Sequence, residues 1–204
     1  HREYVRAGAQ ALETNTFGAN RVKLAAHGLA EQVETINRKG VELARAAATH
    51  GQYVAGAIGP LGVKIEPWGP TSVDEAQEVF AEQARALAAA GVDLFVLETF
   101  GDLSEIGQAI LAVKAVSSLP VIAQMTLQED GSSLYGTPPE LFARRIEDWG
   151  ADVVGINCSV GPKVALEAVE ILAKSTRLPI SVQPNAGIPR SVDGRNIFLS
   201  SPEY

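Results

Sequence analysis

A chain of 204 residues, 46% hydrophobic and 20% charged, is long enough to bury a core and fits one domain better than two. Its net charge of −7, with Lys and Arg scattered rather than gathered into a stripe, lacks the electrostatic footprint of a nucleic-acid binder and leaves a small-molecule ligand as the default. No apolar run approaches the roughly 20 residues of a membrane helix, and the opening His-Arg-Glu-Tyr has no signal-peptide core, so the expectation is a cytoplasmic protein with no membrane partner. The single cysteine rules out an intramolecular disulfide.

In chain order, residues 1–8 read as the tail of a helix running into a first apolar run, Ala11 to Phe17. Leu29 to His50 has helical spacing, and Tyr53 to Ile58 is the next strand-like run. Thr71 to Ala90 is the clearest helix: Thr71 or Ser72 can cap it, acidic residues fill its first turns and Gly91 stops it. The alternation continues with Val92 to Phe100 as strand, Ser104 to Val116 as helix, Pro120 to Leu127 as strand and Pro139 to Trp149 as helix. Val153 to Ser159 as strand, Pro162 to Ser175 as helix and Pro179 to Ala186 as strand complete it, with Pro139 and Pro162 tolerated in first helical turns. No linker or charge block divides the chain, which reads as a single domain over residues 1–204.

Strands joined by helices make either an open doubly wound sheet or a closed barrel. Thr14 and Asn15, Glu98 and Thr99, Gln124 and Thr126, Asn157 and Cys158, and Gln183 and Asn185 all fall at or near C-terminal strand ends. A barrel gathers those ends at one mouth, where active sites of that fold lie, whereas an open sheet spreads them along a line. The expected fold is therefore an α/β, (β/α)8 TIM barrel. It is incomplete, because six strands do not close an eight-stranded barrel of about 250 residues. Strands 2 to 7 of the barrel are the ones expected here, with the first and last missing.

Gly155-Ile-Asn-Cys-Ser-Val-Gly-Pro162 puts the only thiol at a strand end, yet by spacing alone Cys158 reads as a small buried hydrophobe. Glu98 by itself reads equally as a solvated carboxylate or a cap on the next helix. Asn185 reads as a turn residue, and Asn157 and Asn15 as pocket lining or as partners for buried backbone groups. His27 and His50 fall on helical stretches and His1 at the terminus, so none reads as a metal ligand. Tyr135 and Gly136 fall in the loop after the fifth strand of the barrel, which reads equally as a cover for the donor or as a plain turn. A Schiff-base aldolase would need a lysine in the mouth, and no strand presents one; a pterin- or phosphate-binding barrel remains open.

The segments Thr-Asn-Thr-Phe-Gly-Ala-Asn (14 to 20), Gly-Pro-Leu-Gly (59 to 62), Leu-Glu-Thr-Phe (97 to 100), Tyr-Gly-Thr-Pro-Pro (135 to 139), Gly-Ile-Asn-Cys (155 to 158) and Pro-Asn-Ala-Gly-Ile-Pro (184 to 189) resemble the homocysteine S-methyltransferase family. Within it the chain is most similar to the homocysteine-binding modules of bacterial methionine synthases and of fused homocysteine methyltransferase and methylenetetrahydrofolate reductase proteins, as the tail from Asp193 to Tyr204 also suggests. The resemblance implies zinc-dependent methyl transfer to homocysteine, giving methionine. It makes Cys158 one of three zinc thiolates, the other two belonging to a Gly-Gly-Cys-Cys motif that this chain lacks. Zinc would deprotonate a substrate thiol whose free pKa is near 8.5 and present it to a methyl donor. The resemblance also implies that Glu98, beside Thr99, accepts the substrate ammonium and that the Asn185 amide approaches the metal; Asn157 and Asn15 join them as pocket-lining candidates by their place at the strand ends. The methyl donor it favours is methylfolate or methyl-cobalamin, with a folate, cobalamin or reductase domain as downstream partner. With two thiolates missing, the competing expectation is an inactive fragment acting only as a binding scaffold.

Overall fold

The computed structural model describes residues 1–198 apart from His50, Ala186 and Ile188. In chain order its elements are α1 (Arg2–Arg6), β1 (Ala11–Glu13), α2 (Arg21–Ala25), α3 (Val33–Ala47), β2 (Tyr53–Ile58), α4 (Val73–Ala90), β3 (Leu94–Phe100), α5 (Leu103–Val116) and β4 (Val121–Met125). There follow α6 (Pro139–Asp148), β5 (Val153–Asn157), α7 (Pro162–Ser175), β6 (Ile180–Gln183), β7 (Arg190–Val192) and β8 (Arg195–Ile197). The strands β1 to β6 pair in sequential order and all in parallel, each joined to the next by a crossover that contains a helix.

The sheet is curled. Flat, its outer strands β1 and β6 would stand roughly 24 Å apart, at about 4.8 Å per step. Instead the Gln183 side-chain amide of β6 donates to Glu13 Oε1 of β1 at 3.3 Å. The result is a six-stranded half-barrel whose concave face carries Glu13, Ala55, Val96, Gln124, Ser181 and Gln183. Successive strand residues alternate faces, so Val54, Phe95, Leu97, Ala123, Met125, Val154 and Ile156 turn outward into the helical layer and are buried there.

The helix α4 shows how local sequence sets this layer. Ser72 Oγ accepts from Glu75 N at 3.1 Å, Asp74 and Glu75 sit at the positive end of the helix dipole, and Gly91 closes the far end at φ 89°. Ala76, Phe80, Ala84 and Leu87 follow helical spacing down one buried face, where Phe80 meets Phe100 of β3 with ring centres 6.0 Å apart. Burying each side chain of the size of Phe80 or Leu87 contributes about 1.5–3 kcal/mol.

The expected strands and helices are present, several with shorter ends. The first run is strand only to Glu13. Beyond it Thr14 Oγ1 accepts from Ala57 N and Thr16 Oγ1 donates to Ala57 O, so side chains take over the bonds of the ladder. The helix expected from Leu29 starts at Val33, after one 3-10 turn over Ala30–Gln32, and ends at Ala47; His50 lies outside the described residues. Ala186, the expected end of the last strand, lies outside them too. Two elements escaped the periodicity altogether. One is the five-residue α2, capped by Asn20, and the other is the antiparallel β7–β8 hairpin. The hairpin had a readable signal in Asp193-Gly194, whose φ values of 49° and 75° suit a two-residue hairpin turn. Among the described residues no helix is long and apolar enough to cross a membrane.

Candidate active site at the strand ends

Four of the residues singled out in the sequence come together where β3 and β5 end. Three steps along β3, from Leu97 to Phe100, are matched by only two along β4, from Ala123 to Met125, so one extra residue bulges at Glu98-Thr99. Such bulges re-aim side chains. Thr99 adopts φ 65°, and Cys158 and Ser159 adopt 56° and 58°. For a β-branched residue this is a true outlier, and each such residue costs about 1–3 kcal/mol that its surroundings must offset.

Asn157 supplies much of the offset. Its Oδ1 accepts from Thr99 N at 2.8 Å while its Nδ2 donates to Thr99 Oγ1 at 2.8 Å, closing a two-bond ring that holds the bulge. The same Nδ2 reaches Glu98 Oε2 at 3.4 Å and Cys158 Sγ at 3.6 Å, and Thr99 Oγ1 donates to that sulfur at 3.9 Å. The turn carrying Cys158 is pinned by Cys158 N to Gln183 O at 3.0 Å and by Asn185 N to Val160 O at 3.1 Å. Cys158 is exposed, which corrects the reading of it as a buried hydrophobe. Its left-handed backbone lifts the sulfur off the sheet, where periodicity alone would have left it packed.

Asn15 is not part of this group. It stands on the β1 side of the mouth, where its Oδ1 lies 2.8 Å from His1 Nε2, and with Glu13 and Gln183 it lines a cavity of about 420 Å³. Asn185 is half-buried in the segment that follows β6. Tyr135 stacks on Trp68 at 6.1 Å between ring centres, and neighbouring Leu134 lies against Gly101, just past the end of β3. Sequence reasoning missed Glu13. Its signal was the alternation in Ala11-Leu12-Glu13, which turns a charge toward the barrel interior.

Burial, and after it the charge of Glu13, pushes the Glu98 carboxyl up to about 7, against an opposing hydrogen bond with Thr99. Burial likewise raises Glu105, at the start of α5, to about 7, although Leu61 N donates to its Oε1 at 2.8 Å. Unfolded, both carboxyls titrate near 4.5. The folded chain therefore holds more protons between those values, and these two groups lower stability as pH rises from 4.5 to about 7. A double variant, Glu98→Gln with Glu105→Gln, is expected to gain stability over the wild type on going from pH 4.5 to 8. Denaturant midpoints at the two pH values measure this, and a constant difference would show that neither carboxyl is raised.

One cysteine is the chain's whole set of thiol donors, and no group of three or more His, Cys, Asp or Glu able to hold a metal occurs among the described residues. The described residues alone do not fit a closed tetrahedral zinc site, which takes four ligands. They offer one corner of it.

A curled parallel α/β sheet with its polar residues gathered at the strand ends is the architecture of enzymes that work at a barrel mouth. Residues 1–204 match the family model for homocysteine S-methyltransferase, and the chain belongs to that family. It is 34% identical over 200 residues to the methionine synthase of Mycobacterium tuberculosis and 33% identical to that of Mycobacterium leprae, covering 93% of this chain in both. It spans only 17% and 16% of the length of those relatives. Among solved structures it resembles the metallated form of the Escherichia coli homocysteine methyltransferase MmuM, with a TM-score of 0.81 and 31% identity over 92% of this chain and 70% of that one. An oxaloacetate acetylhydrolase at 17% identity and TM-score 0.56 shares the fold alone.

Proposed function

We propose that this chain is the homocysteine-binding barrel domain of an enzyme that transfers a methyl group to the homocysteine sulfur, giving methionine, and that its six strands are strands 2 to 7 of that barrel. The observation that carries the reading is the convergence of Glu98, Thr99, Asn157 and Cys158 on one strained, exposed spot at the strand ends. Strain held by a dedicated side-chain amide marks a position kept for chemistry rather than for packing. Family membership across the whole chain supports the reaction.

In this reading the Cys158 thiolate is one ligand of a zinc ion, and the carboxylate of Glu98 receives the substrate ammonium. Thr99 and Asn157 fix the relative position of the two. Asn185, half-buried beside the Cys158 turn, approaches the metal side of the site, and Asn15 lines the rim after β1. Methylfolate or methyl-cobalamin is the donor, presented by a further domain of the longer protein. The test is homocysteine-dependent methionine formation by the full-length protein with each donor offered in turn. Failure with every donor would sink the reading.

The second reading, a binding scaffold without activity of its own, is favoured by one observation, the lone thiolate. The 204-residue chain is accordingly expected to bind zinc far more weakly than a longer protein carrying the Cys pair of the family. A competition titration against a chromogenic chelator measures both. Tight zinc binding by this chain that vanishes in Cys158→Ala would show that its own residues complete the site.

A further inference from the structure

Inside a closed barrel the inward positions are usually filled by layers of bulky branched side chains. Here the row that runs through Gln124 on β4, Gly155 on β5 and Ser181 on β6 is small or polar, and Ala11 and Ala55 face it from β1 and β2. A cavity of about 230 Å³ lies among them, with Glu13, Gln124 and Gln183 on its wall.

The hydrogen bonds around this cavity have only one consistent orientation. Glu13 Oε1 accepts from Gln183, which turns its Nε2 toward it, at 3.3 Å. Gln183 Oε1 then faces Gln124, which must present its own Nε2, at 2.9 Å, while that nitrogen also donates to Ser181 Oγ at 2.8 Å. Gln124 Oε1 is left over. The residue is 1% exposed and this oxygen has no hydrogen-bond partner among the described residues, a loss of about 1–3 kcal/mol unless a ligand donor meets it. Glu98 stands on the neighbouring strand at about the same level, because it follows Leu97 as Gln124 follows Ala123, and Leu97 pairs with Ala123. Glu98 also lies close enough to Glu13 to feel its charge. Acceptors from β1, β3 and β4 thus turn toward the concave side of the sheet, Glu13 and Gln124 on the wall of one cavity, and no cation of the described residues pairs with Glu13 or Glu98.

An ammonium group carries three N–H donors and no acceptor. We propose that Glu13 and the unpaired carbonyl oxygen of Gln124 join Glu98 in a three-acceptor seat for the α-ammonium of an amino-acid substrate, which makes Glu13 and Gln124 specificity-determining residues. This inference rests on the homocysteine reading above. A thiol without the amino group would leave two carboxylates and a buried carbonyl without donors, and the site rejects it for that reason. The discrimination is large because unpaired buried acceptors cost more than missing apolar contacts.

Calorimetry on the metal-free full-length protein tests the seat with two probes, L-homocysteine and 4-sulfanylbutanoate, the same molecule lacking the amino group. The wild type is expected to prefer homocysteine. Glu13→Gln is expected to lower that preference about tenfold and Gln124→Met about threefold, the usual sizes for a charged and a neutral hydrogen bond. Glu13→Asp, which keeps the charge, retains most of it. A near-ultraviolet circular dichroism spectrum and a melting temperature that match the wild type show that the pocket is still folded in the variants. An unchanged preference in Glu13→Gln overturns the seat and leaves the homocysteine reading standing, as does an equal loss of both probes, which would make the two residues structural. A wild type that binds neither probe, or both alike, overturns the homocysteine reading and the seat with it.

Discussion

Cys158→Ala in the full-length protein is expected to lower homocysteine-dependent methionine formation by more than the roughly 10- to 100-fold that loss of an outer-shell metal partner costs. Bound zinc should fall with it. Stability should move by no more than about 0.5 kcal/mol, because the side chain is exposed and alanine strains the backbone at φ 56° as cysteine does. Comparing turnover, zinc content and denaturant midpoint in one preparation separates the two effects. If turnover and zinc persist, the sulfur is a bystander and the site assignment falls. If turnover falls only because the variant unfolds, Cys158 belongs to the scaffold rather than to the chemistry.

Gly155→Ala is expected to damage the fold itself. A Cβ at this position would run into the Ser181 carbonyl oxygen on β6, a backbone atom that cannot swing aside. The Gln124 amide also reaches across Gly155 to Ser181 in the same register row, so a methyl group there separates β5 from β6 and breaks that bond. A destabilisation of about 3 kcal/mol follows, which for a chain of this size lowers Tm by roughly 6–12 °C. Gly161→Ala is the control, since a Cβ there has nothing within 4 Å. Melting temperatures that fall equally in the two variants would remove the close approach of β5 and β6 as the cause.

The parts of the fold that follow simple periodicity are legible in the sequence. The α7 helix occupies the expected Pro162 to Ser175, and β2 the expected Tyr53 to Ile58, because apolar spacing, a proline in the first turn and the flanking breakers all agree there. Glu98, Thr99, Asn157 and Cys158 were visible as polar residues at strand ends. Their mutual geometry was not. Thr99 is a strand former by propensity, and only the hydrogen bonds from Asn157, 58 residues away in sequence, hold it in a left-handed turn. Glu13 escaped notice because its significance depends on the curl that brings β6 to β1, and no local pattern encodes a contact across 170 positions. Asn15 was grouped with the strand ends by sequence position alone, and the turn after β1 carries it to the rim beside His1 instead.

The backbone at Cys158 also sets fold strength and chemistry against each other at one residue. Glycine is at ease at φ 56°, and asparagine tolerates it better than most, so either would relax the turn that cysteine holds under strain. Engineering that ranks variants of this barrel by thermal resilience alone would therefore discard the thiol early and return a sturdier protein with nothing to offer a metal.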